Sequence, residues 1–592
     1  MRKTVMSAAV CTAAALVLVP GSPAAAAADA SVTVDFTHVV TTVDSADYGL
    51  DITGYGNQSY ITNNDVHRGH VRRQGFGVMR MELVFDASGK LVCGGDWCDT
   101  NVSGDAWVAS IRDLGATPML ILPADGRRAA SADVADAVAI YRHFKATGTP
   151  VRQFIVGNEL DNGQNPKHMT GAEYSSRFNL IADALRAEDP TVRLGGPATA
   201  YYDTAYIDAF LTGSGSRADF VDYHDYGAGE DRPTDADLLG PVIDSYATDI
   251  ADLRARIARL APGRALDVQI GEWNMDWKDP NGTQMMSHLA TVWGASALGT
   301  MLKSGASTLV YGDKNGSFAK NTGLGITSTE GEGNVPTNAP TPVYHGIGMF
   351  TGEGLFRGFG KSIVDTGTST PGIRAFASTG RKNIVLVNTT TTAQTTGLAL
   401  TGYGTGTAAV WQSTGDTQAT WTPHNTGTLA ITIGAATVNL PARSVTTLVL
   451  DDQGLKGEYF TNKALTGTPT LTRVDPGVNF DWGTAAPGPG IGADTFSTRW
   501  TGTVTTPTAA AYTFITTTDD GVRLWIDGTK VIDAWTDHSK RDDTATVDLT
   551  AGPHTIRMEY YEGGWDAIAQ LHWSAPNLAR QPIPASALTP AP

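Results

Sequence analysis

Between residues 48 and 312, short apolar runs alternate with amphipathic stretches eight times over, and a chain so patterned has few ways to bury itself. The runs are Tyr48–Ile52, Val78–Phe85, Pro118–Pro123, Gln153–Val156, Val192–Gly195, Phe220–His224, Asp267–Gly271 and Thr308–Gly312. Several stretches between them repeat their apolar residues at helical spacing. Trp107, Ile111 and Leu114 do so before a stop at Gly115, as do Val134, Val138, Tyr141 and Phe144, then Phe178, Ile181 and Leu185, then Ile250, Leu253, Ile257 and Leu260. The alternation predicts a closed parallel (β/α)8 TIM barrel over residues 29–345. An open doubly wound sheet is the alternative, and the G-x-G-x-x-G turn that would favour it is missing after the first strand.

Two of the runs end alike. Arg152 to Asn162 reads R-Q-F-I-V-G-N-E-L-D-N and places Glu159 at a strand tip; Leu266 to Asn274 reads L-D-V-Q-I-G-E-W-N and places Glu272 at another. Carboxylates at the C-terminal ends of barrel strands sit where such barrels do chemistry. Cleaving a glycosidic bond with retention needs one carboxyl to protonate the leaving oxygen and one carboxylate to attack the anomeric carbon. Glu159 and Glu272 supply that pair, with Asn158 placed to hydrogen-bond a sugar hydroxyl or the nucleophile. Trp273 offers an indole face to a sugar ring. In V-D-Y-H-D-Y-G, His224 and Tyr226 share one strand parity, and a donor from either would keep Glu272 ionised. The bland readings are an N-cap or solvated loop charge for each glutamate and a satisfied core histidine for His224. Trp277, Tyr201 and Tyr202 are further candidate sugar platforms.

The remaining chain sets context. Residues 1–28 read as a secretory signal: Arg2 and Lys3, an apolar run from Val5 to Pro20, then an alanine-rich cleavage region, too short for a membrane span. Its loss takes the formal charge from −17 to −19, because it carries two cations and no acid. That balance excludes a nucleic-acid partner. Cys93 and Cys98, in C-G-G-D-W-C, read as a loop-stapling disulfide in an exported, extracellular protein, since a metal would need further ligands nearby. Residues 346–452 alternate short strands with Thr/Gly turns and predict an antiparallel β-sandwich, with Val32, Val34 and Phe36 of segment 31–37 patterned as an added strand. Residues 453–592 are patterned all-β, with Asp527-Gly528 as a hairpin turn.

The motifs V-G-N-E-L-D-N-G, Y-H-D-Y and I-G-E-W-N resemble the strand-four, strand-six and strand-seven signatures of clan A retaining glycoside hydrolases, of which family 39 β-xylosidases and family 51 α-L-arabinofuranosidases are the nearest in pattern. The resemblance implies Glu159 as acid/base, Glu272 as nucleophile, Asn158 as the paired amide and Arg80, in V-M-R-M-E, as support for the nucleophile; Glu82 is a further residue facing the site. It implies no cofactor for catalysis. A departure is L-V-Y-G-D at strand eight, where many relatives carry tryptophan. The segment beginning G-L-K-G-E-Y-F and continuing through Y-T-F-I-T-T-T-D-D-G-V-R-L-W-I-D-G resembles the protective-antigen-like (PA14-type) module of toxins, adhesins and glycosidases. In adhesin members paired aspartates hold Ca2+, which implies Asp519 and Asp520 here; the alternative is a structural Asp/Gly turn. Two functions follow: a secreted retaining glycosidase acting on oligo- or polysaccharides, or a non-catalytic carbohydrate-binding or adhesive protein with an inactive barrel. The intact glutamate pair favours the enzyme, while oligomeric state, sugar and linkage stay open.

Overall fold

The computed structural model describes residues 30–43, 47–52, 60–94, 100–229, 232–278, 284–312, 324–328, 336–415 and 418–591. The signal segment and Cys98 therefore lie outside the described residues. The chain opens with a long strand, β1 (Ala30–Thr42), and then builds β2 (Tyr48–Asp51), β3 (Val78–Phe85), β4 (Leu91–Cys93), β5 (Thr117–Leu122), β6 (Gln153–Val156), β7 (Arg193–Thr199), β8 (Phe220–Tyr226), β9 (Asp267–Asn274) and β10 (Ser307–Tyr311). Eight of these pair in parallel in the order β2–β3–β5–β6–β7–β8–β9–β10, and β10 returns to β2 through Thr308↔Tyr48. The ring is closed, so the barrel and not the open sheet is the fold. β4 hangs outside it, antiparallel to β3.

Each barrel run expected from the sequence is a strand, and β7, β8 and β9 extend three or so residues further than the apolar pattern alone suggests. The extension matters because it carries Asp225 and Tyr226, and Glu272 to Asn274, in strand conformation, where side chains alternate between faces. Inside the ring, Val78, Met119, Ile121, Ile155, Phe220 and Leu309 form a small packed plug. The larger core lies between strands and helices. Helix Gly104–Asp113 buries Trp107 and Ile111, helix Gly171–Glu188 buries Phe178, Ile181 and Leu185, and helix Pro241–Leu260 buries Ile250, Leu253 and Ile257. Helix His288–Lys303 is buried from His288 to Leu302, as an apolar helix covered on all sides must be.

What covers it is helix Pro342–Thr351, together with the second layer. This helix straddles the expected boundary at 345/346: Val343, Ile347 and Phe350 repeat at spacings of 4 and 3 and join the barrel core. The second layer contains β11 (Ser362–Thr368), β12 (Ile373–Thr379), β13 (Asn383–Asn388), β14 (Gln394–Thr401), β15 (Gly406–Ser413), β16 (His424–Ile431), β17 (Ala435–Leu440) and β18 (Ser444–Leu450). They form one sheet, ordered β16-β15-β18-β13-β12-β11-β1-β14-β17, in a sandwich-like layer. Strand β1 sits within it, antiparallel to β11 and parallel to β14. Ile363, Phe376, Val385, Val387 and Val445 pack into the barrel's own core, and Thr447 Oγ1 donates to the Met349 carbonyl at 2.7 Å. Barrel and sandwich thus share one apolar interior.

The C-terminal module is all-β and has a separate core around Trp500, Tyr512, Phe514, Leu524 and Trp573. No helix among the described residues is long and apolar enough to cross a membrane.

Candidate active site

The first carboxylate is placed by a sharp exit from β6. Gly157 has φ +69°, which suits glycine, and Glu159 itself is held at φ +50°. Three bonds hold that turn. The Glu159 amide donates to the Ala198 carbonyl at 2.8 Å, and Asn165 Nδ2 donates to the carbonyls of Asn158 at 3.1 Å and Glu159 at 3.0 Å. The second carboxylate follows a bulge in β9. Tyr223 pairs with Ile270 and His224 with Glu272, so Gly271 is the extra residue. A Cβ on Gly271 would collide with the Asp222 carboxylate. Glycine there lets two buried acids lie in adjacent strands without overlap.

The two tips meet. A carboxylate oxygen of Glu159, a ring nitrogen of His224 and a carboxylate oxygen of Glu272 all lie within 4.8 Å of one another. His224 Nδ1 is 2.9 Å from Glu159 Oε1, and Nε2 is 3.5 Å from Glu272 Oε1. Tyr226 donates its hydroxyl to Glu272 Oε2 at 2.9 Å. Arg80, fully buried, donates Nη1 to Glu272 Oε1 at 2.7 Å, and also bonds Asp51 and the side-chain oxygen of Asn158. Its Nη2 is 3.2 Å from His224 Nε2. Since arginine only donates, Nε2 of a neutral His224 accepts from Arg80 and its Nδ1–H points to Glu159.

The charges follow from these contacts. Burial alone would raise Glu272, but His224, Arg80 and Tyr226 outweigh it and hold its carboxyl below the ordinary range. Burial likewise opposes charge on His224, yet the Glu272 and Glu159 carboxylates raise its pKa above the usual value. Asp51 is pushed the other way: burial raises it, against the pull of Arg80, and the charge on Glu272 adds to the rise. Asp222, also buried, is pushed up to about 6 despite Arg80, His224 and the bond from Gln269 Nε2 at 2.5 Å. One arginine therefore serves several acids, and of Glu272, Asp51 and Asp222 only Glu272 is held below its ordinary range. The Glu159–His224–Glu272 set does not suit a metal ion, because Arg80 already places a fixed cation against Glu272 and His224.

The structure brings Glu159, Glu272, Asn158, Arg80, His224 and Tyr226 together, and it corrects the reading of Trp273. That indole is 1% exposed and packs against Trp293, with ring centroids 5.8 Å apart. Strand alternation explains it: with Glu272 facing the mouth, its neighbour must face the helices. Tyr202 is also no platform; it packs on Tyr223 at 5.0 Å and bonds Asp252. Glu82 lies 3.3 Å from Lys167 Nζ. Asp51 and Asn165 carry no site signal in the sequence motifs, while Asp222 shares the strand parity of His224 and Tyr226. Asp51 ends the first barrel strand, and that position was the one available signal. Cys93 is buried at the end of β4, and its expected partner lies outside the described residues.

In the C-terminal module, Asp520 accepts the backbone amides of His538 and Gly563, both at 2.8 Å, and Asp519 accepts that of Lys540 at 2.9 Å. These bonds are long-range, tying the pair to backbone 18 to 43 positions further along the chain. Glu562 stands near the pair and is pushed up to about 7, by burial first and then by the charges of Asp520 and Asp519. The acids are thus crowded, and three of the pair's four oxygens already accept backbone N–H groups. The calcium set anticipated there is incomplete from these side chains alone.

The fold is a closed (β/α)8 barrel carrying a sandwich layer, with two glutamates from distant strands facing each other at its mouth. The comparisons are specific to each part. Residues 451–587 match the PA14 domain family. A curated relative, the anti-sigma-I factor RsgI3 of Acetivibrio thermocellus, is 44% identical over 138 residues, 23% of this chain; the chain spans about a fifth (21%) of that protein's length. Among solved structures, the α-L-arabinofuranosidase of Thermotoga maritima in complex with arabinose is 15% identical and covers 71% of this chain and 99% of its own, with a TM-score of 0.57. The family 51 α-L-arabinofuranosidase of Thermotoga petrophila is 16% identical with the same coverage and a TM-score of 0.56. The family 44 xyloglucanase of Paenibacillus polymyxa follows at 13% identity, 71% and 99% coverage and a TM-score of 0.52. At these identities the likeness is one of fold.

Proposed function

We propose that the chain is an exported retaining glycoside hydrolase that releases α-L-arabinofuranosyl or β-xylosyl groups from oligo- or polysaccharides. One observation carries the reading: carboxylate oxygens of Glu159 and Glu272, from distant strands, lie within 4.8 Å across one mouth. Retaining enzymes hold their carboxyls about 5–5.5 Å apart, whereas inverting enzymes leave about 6.5–9.5 Å for a water. The roles follow from environment. Glu272 is nearly buried and receives donors from Arg80 and Tyr226, which keep it anionic and aimed; it attacks the anomeric carbon and forms a glycosyl ester. The Glu159 side chain is 29% exposed; it protonates the leaving oxygen, then takes a proton from the water that hydrolyses the ester. The arabinofuranosidase fold spanning barrel and sandwich supports the sugar class, by likeness of architecture alone.

The test is a panel of aryl α-L-arabinofuranosides, β-xylosides, β-glucosides and β-galactosides, with the anomeric outcome followed by proton NMR. Glu272→Gln should lower kcat by about a thousandfold or more. Glu159→Ala should lose natural substrates, keep activated aryl glycosides and be rescued by azide as a glycosyl azide of retained configuration. Full activity of Glu159→Ala on natural glycans would overturn the assignment. Export, the Cys93–Cys98 bridge and Ca2+ at Asp519 and Asp520 belong to the same proposal. They are checked by the mature N-terminus, by the mass before and after reduction, and by calcium titration of wild type against Asp519→Asn.

A further inference from the structure

The catalytic mouth opens on one side into a cleft of about 590 Å3 whose walls include Ala200, Tyr201, Asp225, Tyr226, Arg232 and Trp277. Tyr226 belongs to both places, since its hydroxyl is bonded to Glu272 while its ring lines the cleft. A sugar unit in the cleft is therefore next to the one being attacked. Two aromatic side chains stand exposed there, Tyr201 at 61% and Trp277 at 41%. The indole is seated on Gly229, where any Cβ would collide with its ring nitrogen, so it is held and not merely dangling. Exposed rings fixed beside a glycosidase mouth suit the apolar faces of sugars.

The charges of the cleft set it apart. Arg232 is exposed and makes no ion pair or hydrogen bond among the described residues. Lys278 Nζ lies 5.3 Å from the centre of the Trp277 ring, which brings a second cation to the same wall. Among the described lining residues the one acid is Asp225, half-buried, whose carboxyl is raised above its ordinary range by burial first and then by the nearby Asp249. Among the described lining residues Arg232 is thus the one cation, in a chain of formal charge −17. A guanidinium with no ion pair among the described residues, set on a cleft wall, is matched by a planar or tetrahedral anion that accepts two of its N–H groups. The surrounding negative charge works against a polyanion at long range, which restricts the fit to a sparsely charged glycan.

We infer that this cleft is a subsite for a sugar unit bearing one anionic substituent, a carboxylate or a sulfate, with Arg232 as its charge partner and Trp277 and Tyr201 as ring platforms. The inference rests on the glycosidase reading and specifies the substrate class within it. Binding is measured on the full-length Glu272→Gln protein by calorimetry, with matched probes: xylotriose against glucuronosyl-xylotriose, and a neutral galactan trisaccharide against its monosulfate. At least one charged probe should bind about tenfold tighter than its neutral partner, the increment of one charge-assisted contact. That ratio should collapse when Arg232→Gln is added, return in part with Arg232→Lys, and shrink in about 0.5 M salt. Whichever pair shows the preference identifies the substituent. Equal affinity within both pairs, or a preference that survives Arg232→Gln, overturns the inference. Failure of the wild type to hydrolyse any glycoside would sink the hydrolase reading, yet leave this binding comparison fully readable.

Discussion

At the residue scale the site turns on how one cation is shared. Arg80 bonds Glu272, Asp51 and Asn158 from a position with no exposure to solvent. Removing one partner from a buried ion network costs about 3–5 kcal/mol, because the acids left behind have no water to turn to. Arg80→Met should therefore both unfold earlier and lose turnover. Arg80→Lys, which keeps the charge but not the fork, should retain most of the stability and little of the activity; thermal melts beside kcat separate the two losses. Tyr226 gives a pH prediction with a definite sign. Activity needs Glu272 ionised, and its carboxyl is held below its ordinary 4.5 by His224, Arg80 and the Tyr226 hydroxyl, against burial. Tyr226→Phe removes one donor to the charged form, so the pKa rises and the acidic limb of kcat/KM moves to higher pH. An unmoved limb would mean that the hydroxyl serves substrate and not the nucleophile. The same linkage governs stability: what Glu272 contributes is present above pH 4.5 and lost as pH falls through its lower folded value.

At the element scale, strand ends and bulges aim the groups that residues supply. The extra residue Gly271 in β9 sits where the Asp222 carboxylate needs its room. Gly271→Ala should lower stability and displace Glu272 by the width of a methyl group, and the cost in kcat should exceed the cost in KM. On the far side of the barrel, Thr170 and Glu173 form a reciprocal cap on helix Gly171–Glu188, with Glu173 N donating to Thr170 Oγ1 at 3.3 Å and Thr170 N to Glu173 Oε2 at 2.8 Å. Thr170→Ala should cost about 1 kcal/mol in denaturant titrations. Much of this layer was legible. The eight apolar runs are the eight barrel strands, because a buried parallel strand must be apolar throughout. The sandwich strands β11, β14 and β17 carry a fainter pattern because their exposed faces dilute it; β11 is buried only at Ile363 and Val364. Helix Pro342–Thr351 escaped because the change in composition beside it looked like a boundary.

At the scale of the whole molecule, barrel and sandwich share apolar contacts while the C-terminal module keeps a core of its own. Calorimetry should show two transitions, one for residues up to about 452 and one for the PA14 part, and a chain ended after Asp452 should lose only the second while still hydrolysing aryl glycosides. A single transition would mean that the cores are coupled. The sequence alone determined the barrel, the layered order of the domains and the two glutamate tips, since periodicity and strand-end chemistry are local properties written in neighbouring residues. Tertiary structure decided which side chains meet. Trp273 turned to Trp293 and away from the sugar, Asp51 joined Arg80 from 29 positions away, and His224 came to lie between Glu159 and Glu272. Those outcomes depend on ring closure, on strand parity and on where a bulge adds a residue, and no stretch of chain carries them until the strands are side by side.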